Sequence, residues 1–170
     1  MEDRIPVPPE ISLEFTEIGQ AARYCQHMVR SCGDPAPGSN FEQVNQLYPF
    51  EKVSDRARHY VTVSLEHMVM WADFAAPFKF HPDQTTNFAM RPAYALARAA
   101  LESAAQAVWL LNTADPVECI KRLLRLIRWD LEEHRKSQSD PRWKAKVRQR
   151  DRTLIERVAK VAKEEELRPP

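Results

Sequence analysis

Apolar positions recur along this chain at alternating steps of three and four, the spacing that returns side chains to one face of an α-helix. Phe15, Ile18, Ala22, Cys25, Val29 and Cys32 form the first such set, predicting a helix from about Ser12 to Gly33. Val53, Ala57, Tyr60, Ser64, His67, Trp71 and Phe74 make one seam of a second helix, from about Phe50 to Ala76. Val61, Leu65, Met68, Ala72 and Ala75 make another, so this helix should meet two neighbours. The segment Arg91–Thr113 reads as a central helix buried on nearly every side. Ala93, Ala97, Ala100, Ala104, Ala107 and Leu111 form a small-residue seam, and Tyr94, Leu101, Ala105, Val108 and Trp109 fill the spaces between flanking helices. Val117, Ile120, Leu124, Ile127, Leu131 and His134 line a fourth helix. Trp143 and Val147, then Leu154, Val158 and Val161, line a fifth that runs to about Glu166.

The breaks between these runs are chemically explicit. Pro6, Pro8 and Pro9 hold the first residues as an extended arm, and GDPAPGS at 33–39 cannot continue a helix. A piece from Phe41 to Tyr48 has room for one or two helical turns. Pro77 stops the second long helix, and the aromatic connection 77–90 is expected to pack across an end of the bundle. Asp115–Pro116 and Asp140–Pro141 each set a capping carboxylate before a proline in the first helical turn. No stretch alternates with period two over a strand length. The expectation is an all-α fold, an antiparallel bundle of four to five helices in a single domain. Residues 1–11 form its arm, 12–136 its core and 141–166 a basic C-terminal helix.

Composition changes this picture in two ways. The chain has 170 residues, 44% hydrophobic and 29% charged, and contains no run of about 18 apolar residues to span a bilayer. Its first residues carry no basic or apolar leader, so a soluble, cytoplasmic protein is expected. Cys25, Cys32 and Cys119 are odd in number, which fits reduced, buried thiols better than a disulfide framework. The net charge of +1 conceals an asymmetry: residues 1–120 hold 9 basic and 15 acidic side chains, and residues 121–157 hold 13 and 6. A nucleic acid or an acidic partner is therefore a candidate ligand for the C-terminal helices, through Arg122, Arg125, Arg142, Lys144, Lys146, Arg148 and Arg150, with Trp143 available to stack on a base. The competing reading is a solvated helix face.

Within the central helix only Arg98 and Glu102 interrupt the apolar coat. They are four residues apart and are expected to satisfy each other as a structural pair inside the bundle. His59 and His67, with Glu66, are the residues nearest to a metal-binding pattern. Eight residues along a helix separates the histidines by two turns, too far to share an ion, so no metal and no cofactor is implied. With three glycines in all, a phosphate-cradling loop is not expected.

The run RPAYALARAALESAAQAVWLLNTADPVECIKRLLRLIRWDLEEHRK, residues 91–136, resembles a group of uncharacterised all-helical bacterial proteins, mostly actinobacterial. They share an R-A-x-x-E-x-A-A-x-x-x-W-L-L core helix, an Asp-Pro turn and an arginine-rich helix, and the resemblance implies a helical fold. Arg128 and His134, in RWDLEEH, also resemble the arginine and histidine of HEPN-type ribonucleases, in which dimerisation brings the pairs together on RNA. That resemblance implies RNA cleavage by those two residues. The structural alternative places His134 at the end of the apolar seam, hydrogen-bonded to Asp130, with Arg128 in solvent. The expected role is non-enzymatic, a helical interaction or scaffold protein that self-associates through its C-terminal helix. The alternatives are a HEPN-like ribonuclease of a toxin or phage-defence system and nucleic-acid binding by the basic helices.

Overall fold

The computed structural model describes residues 4–75 and 86–161. Eight elements follow in chain order. They are β1 (Arg4–Val7), α1 (Pro9–Ser31), α2 (Asn40–Leu47), α3 (Val53–Ala75), β2 (Thr86–Ala89), α4 (Met90–Leu111), α5 (Pro116–Ser137) and α6 (Pro141–Val158). The fold is all-α, with six helices among the described residues. Most of the connection from 77 to 90, for which packing across an end of the bundle was expected, lies outside them. Contacts divide the chain into two compact units, Met1–Gly33 with Arg58–Val108, and Asp34–Ala57 with Trp109–Pro170.

The first unit corrects the sequence reading at its start. The proline-bearing arm is not free: β1 pairs antiparallel with β2, Ile5 opposite Phe88 and Val7 opposite Thr86. Four residues per strand are too few for a period-two pattern to register. The core here is small. Val7, Ala75 and Ala93 are buried together, with Phe15 and Trp71 packed edge-to-face at 5.2 Å. Helix α1 buries only part of the face its apolar spacing predicts: Phe15, Ala22 and Val29 turn inward, but the other half of that seam does not. Ser12, Gly19 and Ala22 point inward, while Ile18 is 45% exposed and Cys25 and Cys32 are both exposed. The reason is Gly19: a Cβ there would stand 2.9 Å from the Ala72 Cβ, so α1 rolls its smallest side chains onto α3 to approach this closely. Cys25 and Cys32 are therefore surface thiols, not buried ones. An Arg23–Asp73 ion pair at 2.6 Å and a Ser64 hydroxyl donating to the Ala100 carbonyl at 2.9 Å complete the links between α1, α3 and α4.

The second unit is the better-filled one. Tyr48, Val53, Leu110, Ile120 and Leu123 are fully buried, surrounded by Val44, Ala57, Val117, Leu124, Ile127, Leu154 and Val158. Helix α5 is the largest contributor to this core because its apolar residues keep strict helical spacing, with Arg125 and Arg128 exposed on its other side. Both Asp-Pro devices work as expected. Asp115 accepts from the Val117 amide and Asp140 from the Arg142 amide, each with proline in the first turn. Ser39 caps α2 by accepting from the Glu42 amide, and the Glu42 carboxylate reaches back past the cap to accept from the Gly38 amide. Gly38, at φ 78°, makes the turn into it. One polar pair is sealed inside: Asn45 donates to the Ser54 hydroxyl at 2.9 Å and accepts from the Ser54 amide at 3.2 Å. Helix α6 ends at Val158, short of the expected Glu166, with a turn over the next residues.

Candidate functional site

Two surfaces carry the features from which a function can be argued, one in each unit. The first is the outer face of α4. The central helix is not buried on nearly every side: its inward stripe is Ala93, Leu96, Ala100, Ser103, Ala107 and Leu110, at strict steps of three and four. The opposite stripe, Tyr94, Ala97, Leu101, Ala105 and Val108, is exposed throughout, with Tyr94 and Leu101 at 69% and Val108 at 63%. Alanines on both sides of the helix made the two stripes alike in sequence. Arg98 and Glu102 do pair, at 2.7 Å, but on the surface, with side chains 67% and 59% exposed. The Glu102 carboxylate accepts from Arg98 Nε and raises the guanidinium's pKa above its usual value. They form a solvated flank of the open stripe and not an internal pair.

The second surface lies along α5 and α6. Leu131 and Val147 form a ridge with a groove on each side, of about 420 Å³ and about 590 Å³. Arg128 and His134 are separated by it. Arg128 lines the larger groove, 3.9 Å from Asp151, and His134 lines the smaller one. Six residues along a helix turn the side chains about 120° apart, which sends them to different sides. His134 is exposed, and Asp130 does not hold it. Asp130 instead accepts from Arg56 at 3.0 Å, and Arg56 also meets Glu51 at 2.6 Å. Arg56 and Asp130 are 74 positions apart in sequence, a contact that no local pattern announces.

The basic residues divide into two groups. Arg122 is engaged internally: it donates to the Trp109 and Asn112 carbonyls at 2.6 and 2.9 Å, pairs with Glu118 at 3.1 Å and lies 5.4 Å above the Trp109 ring. It thus satisfies the carbonyls at the end of α4. Arg125 shares Glu118. The Glu118 carboxyl is held below the usual range, first by the Arg122 hydrogen bond. Lys146 covers the Trp143 ring at 4.4 Å. Arg142, Lys144, Arg148 and Arg150 have no acidic partner among the described residues and stand along α6, which carries 7 basic and 2 acidic side chains.

His67 holds the Val63 carbonyl at 2.8 Å, and His59 tilts against Tyr60. Among the described residues no group of three or more potential ligands could hold a metal ion, and no helix is long and apolar enough to cross a membrane. Comparison with known protein families, with characterised proteins and with solved structures finds no match in any of the three.

Proposed function

We propose that this chain is a helical interaction protein that assembles with a second copy of itself through the outer face of α4. The observation that carries the reading is the order of side chains along the open stripe. Tyr94, Ala97, Leu101, Ala105 and Val108 lie at −7, −4, 0, +4 and +7 from Leu101, within about 40° of one direction around the helix. Large and small alternate, and the order is the same from either end. A two-fold contact requires a surface complementary to itself, and a stripe symmetric about its own centre meets that condition when two copies run antiparallel. Leu101 then meets Leu101, Ala97 lies beside Ala105, and Tyr94 beside Val108.

Charge supports the same partner. The charges flanking the middle of the stripe, Arg98 and Glu102, neutralise each other, so covering its centre leaves no isolated ion there. Exposed apolar side chains of this size, aligned along one helix, mark interaction surfaces in water. Helix α6, the expected seat of self-association, has less to offer, because Val147, Leu154 and Val158 are buried in the chain's own core. A ribonuclease reading needs Arg128 and His134 from different copies, since one chain sends them to opposite sides of a ridge.

Sedimentation equilibrium across the micromolar range tests the proposal. The wild-type chain of 19.7 kDa should double in mass with concentration. Leu101→Glu, which sets two carboxylates face to face on the axis, should remain single while its circular dichroism is unchanged. With Cys25 and Cys32 replaced by serine, Leu101→Cys should form a disulfide to its own counterpart. A single-chain mass at every concentration overturns the proposal.

A further inference from the structure

We propose that the smaller groove beside α5 and α6 binds a small amphipathic organic anion, a molecule with one phosphate or carboxylate group on an apolar body. The groove is independent of the α4 stripe and belongs wholly to the second unit. Its volume, about 420 Å³, lies in the range of small-ligand sites. Its apolar lining is Ile127, Leu131, Val147 and Leu154, buried or half-buried residues fixed by the core, which suits a hydrocarbon or ring body.

The polar lining is unbalanced in a way that selects an anion. Glu51 and Asp130 are both engaged by Arg56, so neither is free to attract a cation. Arg150 and Arg157 lie two turns apart on the same side of α6 and have no acidic partner among the described residues. Arg157 is set in place by lying 5.5 Å over the Phe50 ring. His134 faces the same space from α5. Three arginines against two carboxylates leave one net positive charge before the imidazole is counted. Guanidinium groups present paired donors that match phosphate and carboxylate oxygens. A head group held by Arg150 and Arg157, with its body on Leu131 and Leu154, uses both halves of the lining.

The test is calorimetric titration at low salt with phenyl phosphate, benzoate, inorganic phosphate and benzyl alcohol. Phenyl phosphate or benzoate should bind with a dissociation constant of roughly a millimolar or tighter, and whichever binds more tightly identifies the head group. Inorganic phosphate, lacking the body, and benzyl alcohol, lacking the charge, should each bind at least about tenfold more weakly, a difference near 1.4 kcal/mol. Arg150→Gln should weaken the better anion by at least about tenfold. Arg148→Gln is the control, because it removes the same charge from the same helix but lines the other groove. Equal losses in the two variants would reduce the effect to the general field of a basic helix and overturn the site. So would the absence of heat with both aromatic anions. A short RNA that binds more tightly than either anion, and is weakened equally by both variants, would assign the surface to nucleic acid instead.

Discussion

Individual residues in this chain differ sharply in what they contribute, and burial decides the difference. The Arg98–Glu102 pair is well aligned but exposed, so solvent screens it and Glu102→Gln should leave the thermal midpoint unchanged. The Asn45–Ser54 pair is less conspicuous and matters more. Asn45→Ala leaves the Ser54 amide and hydroxyl buried without that partner, and about 1 to 3 kcal/mol should be lost in denaturant titrations. The thiols separate in the same way. Cys25 and Cys32 should react with a water-soluble disulfide reagent in the native protein, whereas Cys119 should react only on unfolding. Cys119 is doubly protected: its thiol donates to the Leu110 carbonyl at 3.3 Å, and burial pushes its pKa up. Tyr48 shows the opposite economy, a hydroxyl buried with no hydrogen-bond partner among the described residues. Burial raises its pKa from 10.0, so the unfolded chain loses that proton first. Stability from this group is therefore whole below pH 10 and declines above it, and Tyr48→Phe should flatten the alkaline limb of a pH–stability curve.

At the scale of elements, the helices were legible wherever termination was written in side chains. Asp115–Pro116 and Asp140–Pro141 set helix starts, and Asp115→Ala should cost about 1 kcal/mol through the lost cap. Which face of a helix turns inward was harder to read. On α5 the spacing sufficed, because apolar and charged residues occupy different sides. On α1 and α4 it did not. Gly19, with no apolar bulk, takes the inside of α1 beside the expected Ala22 because closeness to Ala72 outweighs the area that Ile18 would bury. Gly19→Ala tests this. Helix propensity alone would make it stabilising by about 1 kcal/mol, but the 2.9 Å approach to a methyl that cannot swing aside should make it a net loss, read as a lower denaturation midpoint. On α4, alanines on opposite sides gave two stripes of equal apparent quality, and only the packing of Ala93, Ala100 and Ala107 distinguishes inside from outside. The site residues follow the same rule. Arg128 and His134 are visible as a motif, but their separation by the Leu131–Val147 ridge depends on where α6 lies. The Glu51–Arg56–Asp130 network depends on contacts that sequence spacing does not encode.

For the whole molecule, the uneven charge and the open apolar stripe make opposite predictions for salt. Residues 1–120 carry net −6 and residues 121–157 net +7, so association by charge would weaken as salt rises. Association through Tyr94, Leu101 and Val108 should instead hold or strengthen, because the stripe contains no charge. Sedimentation at low and high salt separates the two. A more practical consequence concerns the tryptophans. Trp71, half-buried against Phe15, lies in the first unit, while Trp109, Trp129 and Trp143, all in the second, are 40 to 55% exposed. Indoles already in contact with water change their emission little when a protein melts. The spectral shift of an unfolding curve therefore arises mainly from Trp71, and intrinsic fluorescence follows the loss of the small α1–α3 cluster while remaining nearly blind to the larger core.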